Sequence, residues 1–479
     1  MSDAPTSERG FKAVGALSLR VSLLALSATM LGAAIFARFG IYSTAAISFL
    51  SVAMVLALAA VLIPAGAACF VWMPRAMCVV LLACLATQFA LGICGPPVDN
   101  HLFLQQIRNP ETGATTFLPR QLTLYWAVLA IAAVICGQLV TPRLTLGGFT
   151  LPLLIVLQVI AAVWVIHRDV DPFIDVFGFQ TKSCQALLHG QNPYAITFDS
   201  IYNLESTRRV YAPGDYSEDG LRLLFGYLYT PLVLLLTLPG YLVGDIRYSM
   251  IAAVAVAAAL MGSIRRTRLG MVAAVGVLFM PRTLNVIDLS WNEPLVVMLL
   301  ALTIFCAIRL PKLTPFALGL LLVSKQYMPF ALVFSPLLFG WNWRRLGAAL
   351  LRAGITAAVV TLPLVLPNVG AFIHSAILFQ IRQPFRRDAL SFLILWARTT
   401  GMAPSAVPGF VALLVVGALV LWRLRPSPAN FAAAVAVSYF AFFAFNKQAF
   451  MNYYFFIIAA LWCSVAALDF PLLAMAESR

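Results

Sequence analysis

The chain has 479 residues, of which 62% are hydrophobic and only 10% charged, with a formal net charge of +14. A soluble domain of this length cannot bury so much apolar side chain, so the composition excludes an ordinary globular enzyme and predicts an all-α polytopic membrane protein. The surplus of Lys and Arg is what cytoplasmic loops beside anionic lipid carry, and no nucleic acid is expected as a partner.

The polar start, MSDAPTSERGFK, leads into an apolar run interrupted by Arg20, with no small-residue cleavage site. It is expected to be a first span rather than a removed signal peptide. Further spans are predicted to give the series 14–37, 41–66, 76–95, 121–140 and 148–166. With a cytoplasmic N-terminus, five crossings place His167 and the residues just after it outside. A long external segment then runs over about 167–226. Within it, 174–189 is predicted as an interfacial helix with Ile174, Phe177, Leu187 and Leu188 turned partly inward. YAPGDYSEDG (211–220) is a turn-rich loop.

The stretch YLYTPLVLLLTLPGYLVGD (227–245) is long enough to cross or to re-enter. Re-entry is preferred, because it leaves RRTR (265–268) on the cytoplasmic side. Spans at 247–264, 270–286, 293–309, 314–326, 328–341 and 346–367 come next. A second external segment, 368–405, carries Arg382, Arg386, Arg387 and Arg398. The last spans are 407–423, 428–446 and 450–468. The total is about 13–14 membrane segments, with both termini cytoplasmic and interfacial helices on the periplasmic side. Segments 314–326 and 328–341 are too short to cross a hydrocarbon core of roughly 30 Å alone, so protein must cover their ends. The eight cysteines (69, 78, 84, 94, 136, 184, 306 and 463) show no CxxC pair or metal-ligand spacing and read as small buried hydrophobes. No internal repeat or low-complexity tract is present.

On this topology the unusual polar residues gather on the outer side. They comprise the acids Asp169, Asp171, Asp175, Asp288 and Glu293, and the polar and cationic Lys325, Arg382, Arg386, Arg387, Lys447 and Gln448. Basic residues on the outer face contribute nothing to topology, which invites a functional reading. Cations that hold a phosphate beside a carboxylate that takes a proton suit transfer from a phosphate to a hydroxyl. Structural roles exist for each of them. The acids fit a solvated loop or the positive end of a helix. Lys325 is placed to snorkel, and the external arginines to meet lipid headgroups. GQNPY (190–194) reads as a turn with Tyr194 as a headgroup anchor. Tyr453, Tyr454, Phe455 and Phe456 read as an aromatic belt, and His167, His189 and His374 lack ligand spacing.

Several short motifs occur in an order similar to that of the GT-C type membrane glycosyltransferases that use polyprenyl-phosphate sugars. The closest resemblance is to the bacterial polyprenyl-phosphate-mannose-dependent mannosyltransferase branch. An acid follows an outward span, then comes an interfacial helix, then Gly190-Gln191-Asn192-Pro193-Tyr194. YLYTPLVLLLTLP resembles the Tyr-x-Pro segment of that family. IDLSWNEPLVVMLL resembles the polar step before its inward span. LGLLLVSKQYMPF resembles its Gly-Leu-x-x-x-x-Lys-x-x-Pro element, and NKQAFMNYYFF matches late in the chain. Together these cover about 148–468.

The resemblance implies a GT-C-like helical bundle and an inverting transfer of mannose or another hexose or pentose. The donor would be a polyprenyl phosphate and the acceptor a hydroxyl of a lipid or glycan. It implies Asp175 as the general base, with Asp171 second because Pro172 would set it at the helix start. Lys325 would hold the donor phosphate, assisted by Arg386, Arg387 and Arg382. Gln326, Asn192, Tyr194, Asn292, Glu293, Lys447 and Gln448 are candidates to line the substrates. No cofactor is implied. Asp169-x-Asp171 is similar to the metal-binding acids of oligosaccharyltransferases, but the mannose branch implies no metal.

One departure is large. About 145 residues precede the part that resembles the family, so 1–145 are expected to be additional transmembrane segments, available to a protein partner, and 146–479 the glycosyltransferase core. A lipid-linked glycan polymerase or ligase is the alternative, and a transporter ranks last because the polar residues sit at one face rather than at mid-membrane.

Overall fold

A computed structural model describes residues 4–63, 73–93, 104–108, 115–119, 123–140 and 147–469. Cys69 and Cys94, and the outer ends of the spans predicted at 41–66, 76–95 and 121–140, lie outside the described residues. The chain begins with α1 (Ala4–Ala37), α2 (Thr44–Leu62) and α3 (Met73–Ile93). Next is an antiparallel hairpin of β1 (Leu104–Arg108) and β2 (Thr115–Pro119), with Gln106 opposite Phe117. After it come α4 (Thr123–Val140), α5 (Thr150–Arg168), α6 (Asp175–Leu188), the two-residue strand β3 (Phe198–Asp199), α7 (Leu204–Val210) and β4 (Arg222–Leu223), which pairs with β3. The middle of the chain forms α8 (Pro231–Val243), α9 (Arg247–Arg265), α10 (Arg268–Leu278), α11 (Thr283–Asp288), α12 (Glu293–Arg309), α13 (Thr314–Leu322) and α14 (Pro336–Phe339). The last part forms α15 (Trp343–Val365), α16 (Val369–Phe372), α17 (Phe379–Arg382), α18 (Phe392–Thr400), α19 (Val407–Arg423), α20 (Pro428–Ala444) and α21 (Met451–Ala467).

Helix starts reflect the local sequence. Ser43, Thr267, Asn342, Ser391 and Ser427 each accept a hydrogen bond from a backbone N–H in the first turn, and Pro231 and Pro428 stand where a missing N–H is harmless. Among the described residues, six helical stretches are long and apolar enough to cross a bilayer, within α1, α2, α3, α5, α9 and the run Trp343–Arg382. Their outward residues are apolar too. Val52, Val55, Val79, Val134, Val156, Leu351, Val359, Leu414 and Val415 are exposed on helix faces. An exposed apolar belt of this extent is stable against lipid and not against water, which makes this an all-α, multi-pass membrane protein.

The centre is built from α20 and α21, whose side chains are buried nearly all round. Helix α21 packs against α1, α9, α10, α12 and α20. Val21, Leu24 and Ile35 of α1 belong to the same core cluster as Trp462. The leading segments therefore do not form a unit with a separate core.

Two ends of the bundle are fixed by hydrogen bonds between helix termini. At one end Arg265 reaches the Ala467 carbonyl (3.0 Å), Arg309 the Ile264 carbonyl (2.7 Å) and Arg423 the Leu62 carbonyl (3.0 Å). The other, the site end, gathers the end of α5 and the starts of α9 and α12. Helix α8 begins beside Tyr229, whose carbonyl accepts from the Tyr194 hydroxyl, and returns through Asp245 to Arg247. The residues that flank this single helix, Tyr229 before it and Asp245 after it, both meet groups of the site end.

Three boundaries differ from the sequence reading. The span predicted at 270–286 stops at Leu278, because Arg282 takes a left-handed conformation (φ 76°) before α11 begins. The first half of the segment 328–341 is 3₁₀ helix (Met328–Phe334), a form with a longer rise per residue, which lets a short stretch reach further. The segment 368–405 begins as helix rather than as loop. Asn368 caps a restart by accepting from the Ala371 N–H, and helical turns, including π-helix at Ile373–Leu378, continue to Arg382.

Arg247 holds the site end together. It is fully buried, and it meets Asp245 (2.6 Å), Asp288 (3.3 Å) and the carbonyls of Asp169 (2.6 Å) and Ile166 (3.2 Å). One guanidinium thus joins α5, α9 and α11. Removing it breaks the buried pair with Asp288, at a cost of about 3–5 kcal/mol. Arg247→Met is expected to lose that much in thermal unfolding in detergent. Adding Asp288→Asn should recover part of the loss, because it removes a buried charge that no longer has Arg247 opposite it.

Candidate active site

The first half of the site is made by α6. The backbone N–H of Asp169 closes α5 on the Val165 carbonyl, residues 169–174 bend, and Ile174 is extended (φ −148°) before the helix starts. Asp175 is therefore the first helical residue, where a negative charge meets the positive end of the helix. Its Oδ2 accepts a hydrogen bond from the Tyr211 hydroxyl at 2.5 Å. Tyr211 ends α7 and is buried among the rings of Tyr202, Phe225 and Phe379. Asp175 keeps part of its surface open, as a proton acceptor must. The protein still crowds it closely. Burial pushes its carboxyl above the ordinary range, against the Tyr211 hydroxyl, the Val176 N–H and the Arg386 charge, which pull it down.

The second half comes from α12, the turn after α13 and the start of α21. Lys325 Nζ lies 2.8 Å from Glu293 Oε1, and Asn452 Nδ2 donates to the same oxygen at 2.9 Å. All three residues are buried. Lys325 also stands over the Tyr229 ring, 4.8 Å from its centroid. Tyr229 joins the two halves, because its hydroxyl feels the charges of both Asp175 and Glu293. An ammonium has three N–H donors, so one bond to Glu293 leaves Lys325 able to hold an anion. Glu293 Oε2, the Tyr327 hydroxyl and both polar atoms of the Asn292 side chain are buried without a partner among the described residues. Such atoms are satisfied by water or by a hydroxyl-rich ligand.

The other predicted site residues lie exposed or bond to neighbouring backbone groups. Asp171 is exposed in the bend rather than at the helix start, so Pro172 does not set it there. Asn192 caps the turn at 193–195 by accepting from the Tyr194 N–H (2.9 Å). Tyr194 is 1% exposed and packs edge-on against Tyr227 and Phe372. Gly190 has φ +71° and ends α6, and Gly226 lies so close to Tyr194 that a Cβ would sit 2.2 Å from its carbonyl oxygen. Gln326 donates to the carbonyls of Leu228 and Ala376.

Most of the outer cations are also staples. Lys447 donates to the carbonyls of Ile381 (2.9 Å) and Gln383 (2.6 Å), and burial lowers its pKa. Gln448 bonds Gln383 and Pro384. Arg382 lies 3.9 Å from Asp215, and Arg387 is exposed, its carbonyl accepting from Arg398. Arg386 forms a two-point pair with Asp388 (2.7 and 3.0 Å) while its charge still acts on Asp175. The inward face of α6 is Val176, Phe179, Gln180, Ser183 and Cys184. Ile174, Phe177 and Leu187 are half-covered and Leu188 is exposed, because the helical stripe runs through 176, 180 and 183. Among the described cysteines, Cys78 is exposed and the others are buried.

Sequence reasoning passed over Tyr211, Tyr229, Asn452 and Arg247, and also Asp215. That acid is 1% exposed with no hydrogen-bond partner among the described residues, and burial raises its pKa against Arg382 and His374. Tyr211 and Asp215 lie in the YAPGDYSEDG stretch, so its tyrosines and acids in an otherwise apolar chain were a usable signal. Among the described residues no group of three or more His, Cys, Asp or Glu has the geometry of a metal site. No protein-family model, curated protein or solved structure matches the chain.

The Tyr211 hydrogen bond stabilises the ionised form of Asp175. Tyr211→Phe is therefore expected to move the titration of that carboxyl to higher pH, followed as its carbonyl band in difference infrared spectra. An unchanged band would show that the hydroxyl does not act on Asp175.

Proposed function

We propose that this protein is an inverting glycosyltransferase that uses a polyprenyl-phosphate sugar and delivers the sugar to a hydroxyl of a lipid or glycan. The reading rests on one arrangement: a partly open, proton-avid carboxylate at Asp175 joined through Tyr229 to a buried ammonium at Lys325. The order of short motifs around these two residues, similar to GT-C glycosyltransferases, supports it.

The chemistry needs two things at once. The acceptor oxygen attacks the anomeric carbon while the bond from that carbon to the phosphate oxygen breaks. The acceptor proton goes to Asp175, and the electron pair of the broken bond goes to the polyprenyl phosphate. Lys325, with the Arg386 charge nearby, stabilises the phosphate as it gains charge. A carboxyl whose pKa is raised is a stronger base when ionised. Asn292, Glu293 and Tyr327 offer unpaired polar atoms to sugar hydroxyls.

The same reading puts the site end on the outer face of a bacterial cytoplasmic membrane. The opposite end carries Arg265, Arg309 and Arg423 on helix termini, together with Arg266, Arg268 and Lys312 beside them. That is the distribution the positive-inside rule assigns to the cytoplasm. A polymerase or ligase that works through arginines on external loops fits less well, since Arg386 and Arg398 are already tied to neighbours.

Asp175→Asn is expected to lower transfer from a polyprenyl-monophosphate sugar by about 10²–10⁴-fold, the worth of a general base. Because the folded carboxyl has a raised pKa, its ionised form costs stability once the pH rises through that value. The variant should therefore be at least as heat-stable as the parent at neutral pH. In the parent, transfer should fall as the pH drops through the raised pKa. Full activity in a folded Asp175→Asn protein would sink the proposal.

A further inference from the structure

A second group of buried polar side chains lines a cavity of about 40 Å³ between α1, α3, α4, α5 and the turn from α10 to α11. One water needs about 10–15 Å³ of such space, so the cavity has room for more than one. It is bordered by Arg282, Gln88, Gln158, Tyr125 and Asn285, and by none of Asp175, Glu293 or Lys325.

Arg282 dominates it. The residue is 6% exposed, and Nη2 donates to the Phe36 carbonyl at 2.7 Å. The guanidinium lies over the rings of Phe36 (4.6 Å) and Phe39 (4.2 Å). Among the described residues no carboxylate pairs with it, and its Nε has no partner. A guanidinium stays charged in proteins, and burying one without a counter-ion costs several kcal/mol. The terminal carbonyl of α1 and two aromatic faces offset part of that cost. They leave the Nε edge unused.

Two neighbours have the same feature. Gln158 Nε2 and Gln88 Oε1 are buried without partners among the described residues, although Gln88 anchors its other end on the Gly276 carbonyl (3.1 Å). Both residues are over nine-tenths buried and both border the cavity. A cationic N–H edge and an amide N–H facing one small space form a fork for an oxyanion, and the Gln88 oxygen suits a hydroxyl on the same ligand.

We infer that this cavity binds a phosphate group through Arg282 and Gln158. It is independent of the proposed transferase site. Phe36, Gly92 and Tyr125 border the cavity within three residues of the ends of α1, α3 and α4, so it is entered near the depth of lipid headgroups. The phosphate is that of an anionic phospholipid or of the surrounding solution, and one cation suits a single negative charge.

The test uses the full chain in detergent, with thermal unfolding followed during four titrations: phosphatidylglycerol against diacylglycerol, and sodium phosphate against sodium chloride of equal ionic strength. A midpoint raised by phosphatidylglycerol alone identifies the lipid as the source, and one raised by phosphate identifies the dissolved ion. In either case Gln158→Leu should weaken the response about tenfold or more, the worth of a hydrogen bond to a charged group. That variant leaves the Arg282 bond to Phe36 in place, so it remains informative if Arg282→Met fails to fold. No shift of the parent midpoint by either phosphate source, or an unchanged response in Gln158→Leu and Arg282→Met, would overturn the inference.

Discussion

The guanidinium of Arg247 is the constraint on which the site end depends. It has no exposed surface, so each of its donors must find an acceptor inside the protein. Those acceptors are the carboxylates of Asp245 and Asp288 and the last carbonyls of α5. Helix termini from distant parts of the chain are thereby brought to one point. The bend at 169–174 then directs α6 away from α5, and the turn after α11 leads into Glu293 at the start of α12. Gln180 of α6 secures the same junction by donating to the Ser290 carbonyl (2.6 Å) and accepting from Thr237 of α8 (3.1 Å).

This arrangement divides the polar residues into two kinds. Lys447, Gln448, Gln326, Arg382 and Arg398 meet carbonyls or acids of neighbouring segments and hold the surface layer in place. The loop between α1 and α2 joins that layer through the Tyr42 N–H on the Asp388 carbonyl (2.9 Å), with Arg398 over the Tyr42 ring. The α1–α2 loop therefore supports the segment 368–405 directly. Asp175, Lys325 and Glu293 differ, because each keeps an open surface, spare donors or an unpaired oxygen. Unfilled bonding capacity in a crowded setting separates a binding group from a staple.

Tyrosines mediate between these groups. Tyr211 modulates Asp175 through one hydrogen bond, and the Tyr229 ring faces the Lys325 ammonium. Tyr194 supports Tyr229 by donating to its carbonyl at 2.9 Å. The GQNPY turn thus contributes by positioning the segment that carries Tyr229. A rigid aromatic with one polar tip suits that task, because its ring packs in an apolar layer while its hydroxyl makes a directed bond.

The sequence alone determined the local features. Apolar runs, capping residues and prolines set helices such as Glu293–Arg309 and Val407–Arg423 at the predicted positions, because helix formation depends on neighbours a few residues apart. Asp175 was also legible, as an acid at the start of an amphipathic helix in a chain poor in charge. Only the tertiary structure decided which cations are staples and which polar groups meet. Lys325 and Glu293 are 32 residues apart, Asn452 and Glu293 are 159 apart, and Tyr211 and Asp175 are 36 apart. No periodicity encodes such pairings. They arise when helices pack around α20 and α21 and bring polar side chains from distant parts of the chain within reach of one another.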